Sequence, residues 1–183
     1  MKELSMLTRE HFSRFLNTMI KLGIIFKRGN IYQINKQYFI KGVIDRYTKQ
    51  YNDFTRIYIN SVRYLYENIP VKKHKQLGAY FKIIPYIHRQ QNTLCWNPDS
   101  NVADIKLMSL KELASILGYH ENSINRLINT LMDTKLDNGE SIVAFISNTK
   151  NKSKSYIILN PRIFYGGNFD LPDGIKGIIK WFR

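Results

Sequence analysis

The chain holds a single cysteine, Cys95, in 183 residues. That excludes an intramolecular disulfide and fits a reducing, cytoplasmic compartment. Acidic residues are also scarce: 14 Asp and Glu stand against 28 Lys and Arg, a net charge of +14. Twelve of the basic and five of the acidic residues precede Pro70, so each side of it carries +7. A surface this basic throughout favours polyanions, nucleic acid first. No apolar run approaches the roughly 18–20 residues that span a bilayer. The opening MKELSMLTRE lacks the apolar stretch of a signal peptide, so no membrane is expected. There is no GxxxxGK[ST] loop, and His11, His74, His88 and His120 are scattered. With one cysteine they make no plausible zinc cluster, and none of the twelve tyrosines adjoins a paired-histidine metal motif. No cofactor, no metal and no enzymatic activity are therefore expected.

What is present is a hydrophobic content of 44%, enough for a packed core, and a nine-residue pattern that occurs twice. "FSRFLNTMI" begins at Phe12 and "INRLINTLM" at Ile124. The second copy lies in a helix-turn-helix pattern. Ser109 and Glu112 form a capping box before Leu110, Leu113, Ala114 and Leu117. Gly118 stops that helix, Tyr119 plugs the corner, and His120 caps the next helix, whose apolar stripe is Ile124, Leu127, Ile128 and Leu131. At about 100° per residue, Asn122, Arg126 and Asn129 point away from the stripe, with Asn125 on its flank. Asn pairs bidentately with adenine and Arg with guanine, so this face suits a recognition helix in a major groove.

Two β-rich stretches follow, "ESIVAFIS" and "SYIILNPRIFY", joined by the basic "NTKNKSK". This is a wing, with Lys150, Lys152 and Lys154 placed to meet phosphates. Upstream, "KQLGAYFKIIPYIHRQQ" reads as the first helix, with Leu77, Tyr80, Phe81, Ile84 and Ile87 inward and Pro85 kinking or ending it. "NTLCW" is a short strand expected to pair with the wing.

An offset of 112 residues carries the second pattern onto the first. Thr8 falls at the N-cap, and Arg14 and Asn17 fall on Arg126 and Asn129. The DNA-facing set of the first copy is then Arg9, Ser13, Arg14 and Asn17, with Arg28 beside a tight turn at Gly29-Asn30. After that hairpin the offset becomes 125, so Asn35 meets Asn160 and Gly42 meets Gly167. An internal duplication is the reading. The first copy is truncated: only Met1 to Met6 precede its helix. Cover for its apolar side is expected from the central helix, the second domain or another subunit; otherwise the chain is a fragment lacking N-terminal helices.

Ile44, Tyr47, Tyr51, Phe54, Tyr58, Val62, Leu65 and Ile69 keep a 3-4 spacing that predicts one long central helix, its seam buried internally or in a homodimer contact. The tail "LPDGIKGIIKWFR" predicts a short basic amphipathic helix using Ile175, Ile178, Ile179 and Phe182; a membrane-surface helix has the same look, but its shortness favours packing on the protein body or on a partner. The expected fold is α+β and mostly helical. Residues 1–42 form a partial winged-helix unit, 43–70 a central helix or linker, 71–168 a complete winged-helix domain and 169–183 a tail.

"GAYFKIIPYIHRQQNTLCWNPD", "MSLKELASILGYHENSINRLI" and "SYIILNPRIFYGGN" together resemble winged-helix proteins of Gram-positive plasmids and phages, both RepL-type replication proteins and MarR-type regulators. The resemblance covers about residues 75–168. It implies duplex-DNA binding without a cofactor, with the recognition role on Asn122, Asn125, Arg126 and Asn129 and the wing role on Lys150, Lys152 and Lys154. The expected function is sequence-specific binding of double-stranded DNA, in transcription regulation or at a replication origin. The alternative is an interaction module whose winged-helix surfaces hold a polymerase or replication factor.

Overall fold

The structure, a computed structural model, describes residues 8–41, 54–120, 123–148, 151–166 and 177–183. It is an α+β protein with small antiparallel sheets. The chain divides into two compact units, residues 1–52 and 53–183.

The first unit contains α1 (Arg9–Lys21), β1 (Ile25–Arg28) and β2 (Ile31–Ile34). Thr8 caps α1 by accepting the His11 N–H at 3.3 Å. Gly23, at φ +69°, closes it, with the Ile24 N–H returning to the Met19 carbonyl at 2.9 Å. Arg28 pairs with Ile31, so the hairpin loop is the two residues Gly29 and Asn30, as expected from their types. Leu16 is the one buried hydrophobic residue among those described in this unit. Phe15, Phe26, Ile31, Ile34, Tyr38 and Phe39 are all exposed.

The second unit opens with β3 (Arg56–Ile57) and α2 (Ile59–Asn68). Next come α3 (His74–Ile83), α4 (Leu110–Leu117) and α5 (Ile124–Met132). The hairpin of β4 (Val143–Asn148) and β5 (Asn151–Leu159) follows, then β6 (Phe164–Tyr165). Its core joins Leu65 of α2, Tyr80 and Ile83 of α3, Leu113 of α4, Leu127 and Leu131 of α5, and Ile157 and Leu159 of β5. Strand β4 lies antiparallel to β5, with Val143 opposite Leu159 and Ile146 opposite Tyr156. "NTLCW" does pair with the β4–β5 hairpin: the Leu94 N–H donates to the Ile157 carbonyl at 2.8 Å, and Thr93 bridges Ile158. Helix α3 ends at Ile83 and tightens into a 3-10 turn at Ile84–Tyr86, where Pro85 has no amide to donate. Leu77, Tyr80 and Ile87 are buried and Ile84 packs on the core, as expected; only Phe81 departs, being exposed, while Ile83 is buried.

The single long central helix is not formed. Residues 44–53 lie outside those described, but beyond them the chain is extended at Arg56 and Ile57 before turning helical at Ile59. β3 pairs with β6, Arg56 facing Tyr165 and Ile57 facing Phe164. The Tyr58 N–H donates to the Ile163 carbonyl at 3.0 Å, and the Ser61 hydroxyl to the Arg162 carbonyl at 2.8 Å. Thr55–Ile59 is rich in β-branched and aromatic residues, and a strand partner in the same fold wins over helical periodicity. Leu65 is 2% exposed, and Val62 and Ile69 pack on the same core, so this half of the seam is internal. In the tail, Ile178 and Phe182 pack on Ala144 and Ile158 of the hairpin. Ile175 lies outside the described residues.

Asn35 and Asn160, which the 125-residue offset aligns, make matching hydrogen bonds. The Asn35 N–H donates to the Ile24 carbonyl at 2.9 Å and its side-chain amide to the Gly23 carbonyl at 2.9 Å. The Asn160 N–H donates to the Ile142 carbonyl at 2.7 Å and its side-chain amide to the Ser141 carbonyl at 3.0 Å. Each Oδ1 accepts the N–H two residues on, Gln37 at 3.0 Å and Arg162 at 2.9 Å. Each backbone carbonyl accepts two more amides, Tyr38 and Phe39 in one unit, Ile163 and Phe164 in the other. This Asx turn locks the end of each second strand to the start of its first.

Candidate nucleic-acid interface

The geometry of the second unit begins at Ser109. Its hydroxyl accepts the Glu112 N–H at 3.3 Å, and its own N–H donates to Glu112 Oε2 at 2.7 Å, completing the capping box of α4. Trp96 Nε1–H donates to Glu112 Oε1 at 2.9 Å, a contact no spacing in the sequence announces. Hydrogen bonds from the Ser109 side chain, then its backbone, and from Trp96 hold the Glu112 carboxyl below the usual carboxylate range.

At its other end α4 stops at Gly118, whose φ of +75° is left-handed. The Tyr119 N–H bonds back to the Ala114 carbonyl at 2.8 Å, and the Tyr119 ring packs on the core, as the corner-plug reading requires. His120 is not the cap of the next helix. Ser123 occupies that position without a side-chain bond, its N–H meeting the His120 carbonyl at 2.8 Å. Glu121 and Asn122 lie outside the described residues.

Helix α5 is anchored by Leu127 and Leu131, which are 0% and 1% exposed. Tyr80 of α3 donates its hydroxyl to the Leu131 carbonyl at 3.1 Å, satisfying a helix-end acceptor; burial pushes that phenol far up. The outer face presents Asn125, Arg126 and Asn129, all exposed. Those three are brought onto one helix face with no acidic side chain among them. Lys152 and Lys154 fall on β5 with side chains outside the description, and Lys150 lies outside it altogether.

In the first unit Arg9, Ser13, Arg14 and Asn17 are exposed along α1, and Arg28 is exposed where β1 ends. Arg14 differs from Arg126 in one respect: it forms an i, i+4 ion pair with Glu10 on the helix surface. The apolar stripes also differ. Leu127 is buried, whereas Phe15, the residue 112 positions earlier, is 47% exposed.

Comparison with family models, with curated proteins and with solved structures finds no match for this chain. Among the described residues no helix is long and apolar enough to cross a membrane.

Proposed function

We propose that the chain is a sequence-specific double-stranded DNA-binding protein built on two winged-helix units. One observation carries the reading: α5 follows a capped helix and a left-handed glycine turn, precedes a β-hairpin, and turns Asn125, Arg126 and Asn129 outward. These side-chain types suit base edges, while lysines suit phosphates; the basic stretch expected as a loop is mostly strand, with Lys152 and Lys154 on β5 and only Lys150 between the strands. The net charge of +14 supplies the long-range attraction. The matched hydrogen bonds of Asn35 and Asn160 support a duplicated unit. In this reading the protein acts in the cytoplasm, as a plasmid or phage transcription regulator or origin binder, and needs no cofactor. A homodimer on a two-fold site is part of the proposal, because half-site symmetry is common among helix-turn-helix proteins.

A second reading is favoured by the first unit. Its exposed Phe15, Phe26, Ile31 and Ile34 suit contact with another protein, such as a polymerase or replication factor. Selection of bound duplexes from a random pool at near-physiological salt separates the two. An enriched motif supports the first reading, and a palindromic one supports the dimer. Recovery of random sequence alone sinks it and leaves the protein-contact reading.

A further inference from the structure

The base of the β4–β5 hairpin, Val143–Ile146 with Tyr156–Leu159, is apolar on both faces. Val143, Phe145, Ile157 and Leu159 belong to or pack on the main core. The cross-strand pairs Ala144–Ile158 and Ile146–Tyr156 alternate onto the opposite face. A hairpin that covers a core with one face ordinarily turns polar side chains to water on the other. Among the described residues this second face is covered only in part: Ile178 and Phe182 of the tail sit on Ala144 and Ile158. Beside them the described residues leave an open, groove-like cavity of about 820 Å³, lined by Ile146 and Tyr156 of the hairpin, Ile105 and Leu107 of the loop before α4, and Trp181 of the tail. Gln91 and Thr93 also line it. Thr93 Oγ1–H is committed to the Ile157 carbonyl at 3.1 Å, so the Gln91 amide and the Tyr156 hydroxyl are the polar groups offered to an occupant. Leu107 and Trp181 are 40% and 52% exposed, which leaves large apolar side chains wet at its margin.

We propose that this cavity binds a small, ring-bearing apolar molecule with a single polar group. Its volume falls in the roughly 300–1,000 Å³ range of small-ligand sites, and an apolar lining with few polar groups is the pattern of such sites. Trp181 supplies an aromatic surface for stacking, and Ile105, Leu107 and Ile146 supply aliphatic walls. The lining comes from four separate segments of the chain, around Gln91, Ile105, the hairpin and Trp181, which fits a compact molecule and not a long helix. None of Asn125, Arg126 and Asn129 lines the cavity, so the proposal stands whether or not the protein reads DNA.

The test uses the full chain with Trp96→Phe, which leaves Trp181 as the sole tryptophan of the two. The probe is 8-anilinonaphthalene-1-sulfonate, two ring systems with one sulfonate. The expected result is saturable, single-site energy transfer from Trp181 to the probe at micromolar concentration. A carboxylate placed in an apolar wall opposes an apolar ligand. Ile146→Glu and Leu107→Glu should therefore each weaken the transfer by about ten-fold or more, with circular dichroism confirming the fold. Leu107 is part-exposed, so its variant keeps the test valid if Ile146→Glu fails to fold. Absence of transfer from Trp181 overturns the proposal, as does transfer that the substitutions in folded protein leave unchanged. A Trp181 that acrylamide does not quench in the free chain overturns it too, because another segment of the chain or a second copy then fills the cavity.

Discussion

Asn160 repeats the hydrogen bonds of Asn35, but Asn160 is 0% exposed whereas Asn35 is only half-buried. Asn160 also donates to Glu140 Oε2 at 3.1 Å, a carboxylate that is itself buried and bridged to Arg162 at 3.2 Å. The same motif is therefore held in a dry setting once and in a wet setting once. A lost partner is costly where water cannot replace it. Asn160→Ala should lower unfolding stability by about 2–3 kcal/mol, and Asn35→Ala by about 1 kcal/mol or less. Denaturant titration followed by circular dichroism measures both. Equal losses would contradict the assigned burial.

The capping box predicts a pH dependence. Glu112 is held below its ordinary value, so its contribution is full above the unfolded glutamate pKa of about 4.3. It is lost as pH falls through the depressed folded value, because the unfolded chain binds the proton first. Ser109→Ala removes the leading hydrogen bond. It should cost about 1 kcal/mol at neutral pH and shrink the loss of stability on acidification. A melting-temperature series from pH 7 to 3 on both proteins tests this; an unchanged acid limb would exclude the role given to Glu112.

Gly118 separates backbone strain from packing. A Cβ placed there meets nothing within 4 Å, yet φ is +75°. Gly118→Ala should cost about 1–2 kcal/mol through the left-handed backbone alone, and Gly118→Asn less, since Asn tolerates that region better. If the two substitutions prove equally mild, the turn does not depend on glycine.

The helix-turn-helix was legible because its signals are local: Ser109 with Glu112, then Gly118, then a 3-4 spaced stripe. The hairpins were legible from Gly29-Asn30 and from Pro161 after a β-rich run. The long central helix was misread because Arg56–Ile57 is fixed by pairing with Phe164–Tyr165, more than a hundred residues away. Periodicity carries no record of such a partner. The Trp96–Glu112 contact and the buried Asn92, at φ +52°, were illegible for the same reason. The Asn92 side chain reaches the carbonyls of Leu159 and Phe164 at 2.7 and 2.9 Å, which only the folded arrangement brings near.

Leu65 decides between the two readings of the central seam. It is 2% exposed and sits in the core of its own unit. Leu65→Ala should destabilise the second unit by about 2–5 kcal/mol. Tyr58→Glu, at a position 38% exposed, should cost far less. Thermal unfolding measures the stabilities, and light scattering at micromolar concentration reports whether either change alters the oligomeric state. A Leu65→Ala protein of unchanged stability but halved mass would restore the intermolecular seam.

Arg126 and Arg14 occupy equivalent places on two similar helices, but Glu10 neutralises Arg14, and Arg126 carries no ion pair among the described residues. If both units meet DNA, Arg126 is the readier reader. A bidentate base contact discriminates by about 1–3 kcal/mol, so Arg126→Ala should reduce preference for the selected duplex over random duplex by roughly ten-fold. Arg14→Ala should do less, and Glu10→Gln should raise affinity for both duplexes by freeing the guanidinium. Lysine contacts behave differently, because phosphate neutralisation releases counterions without reading sequence. Replacing Lys150, Lys152 and Lys154 together by Ala should weaken both duplexes alike and flatten the log–log salt slope by about 2–3 units. Titrations at several salt concentrations on both duplexes resolve every arm. Preference lost on Arg14→Ala but kept on Arg126→Ala would make the first unit the reader. Preference indifferent to both would transfer the weight to protein contact.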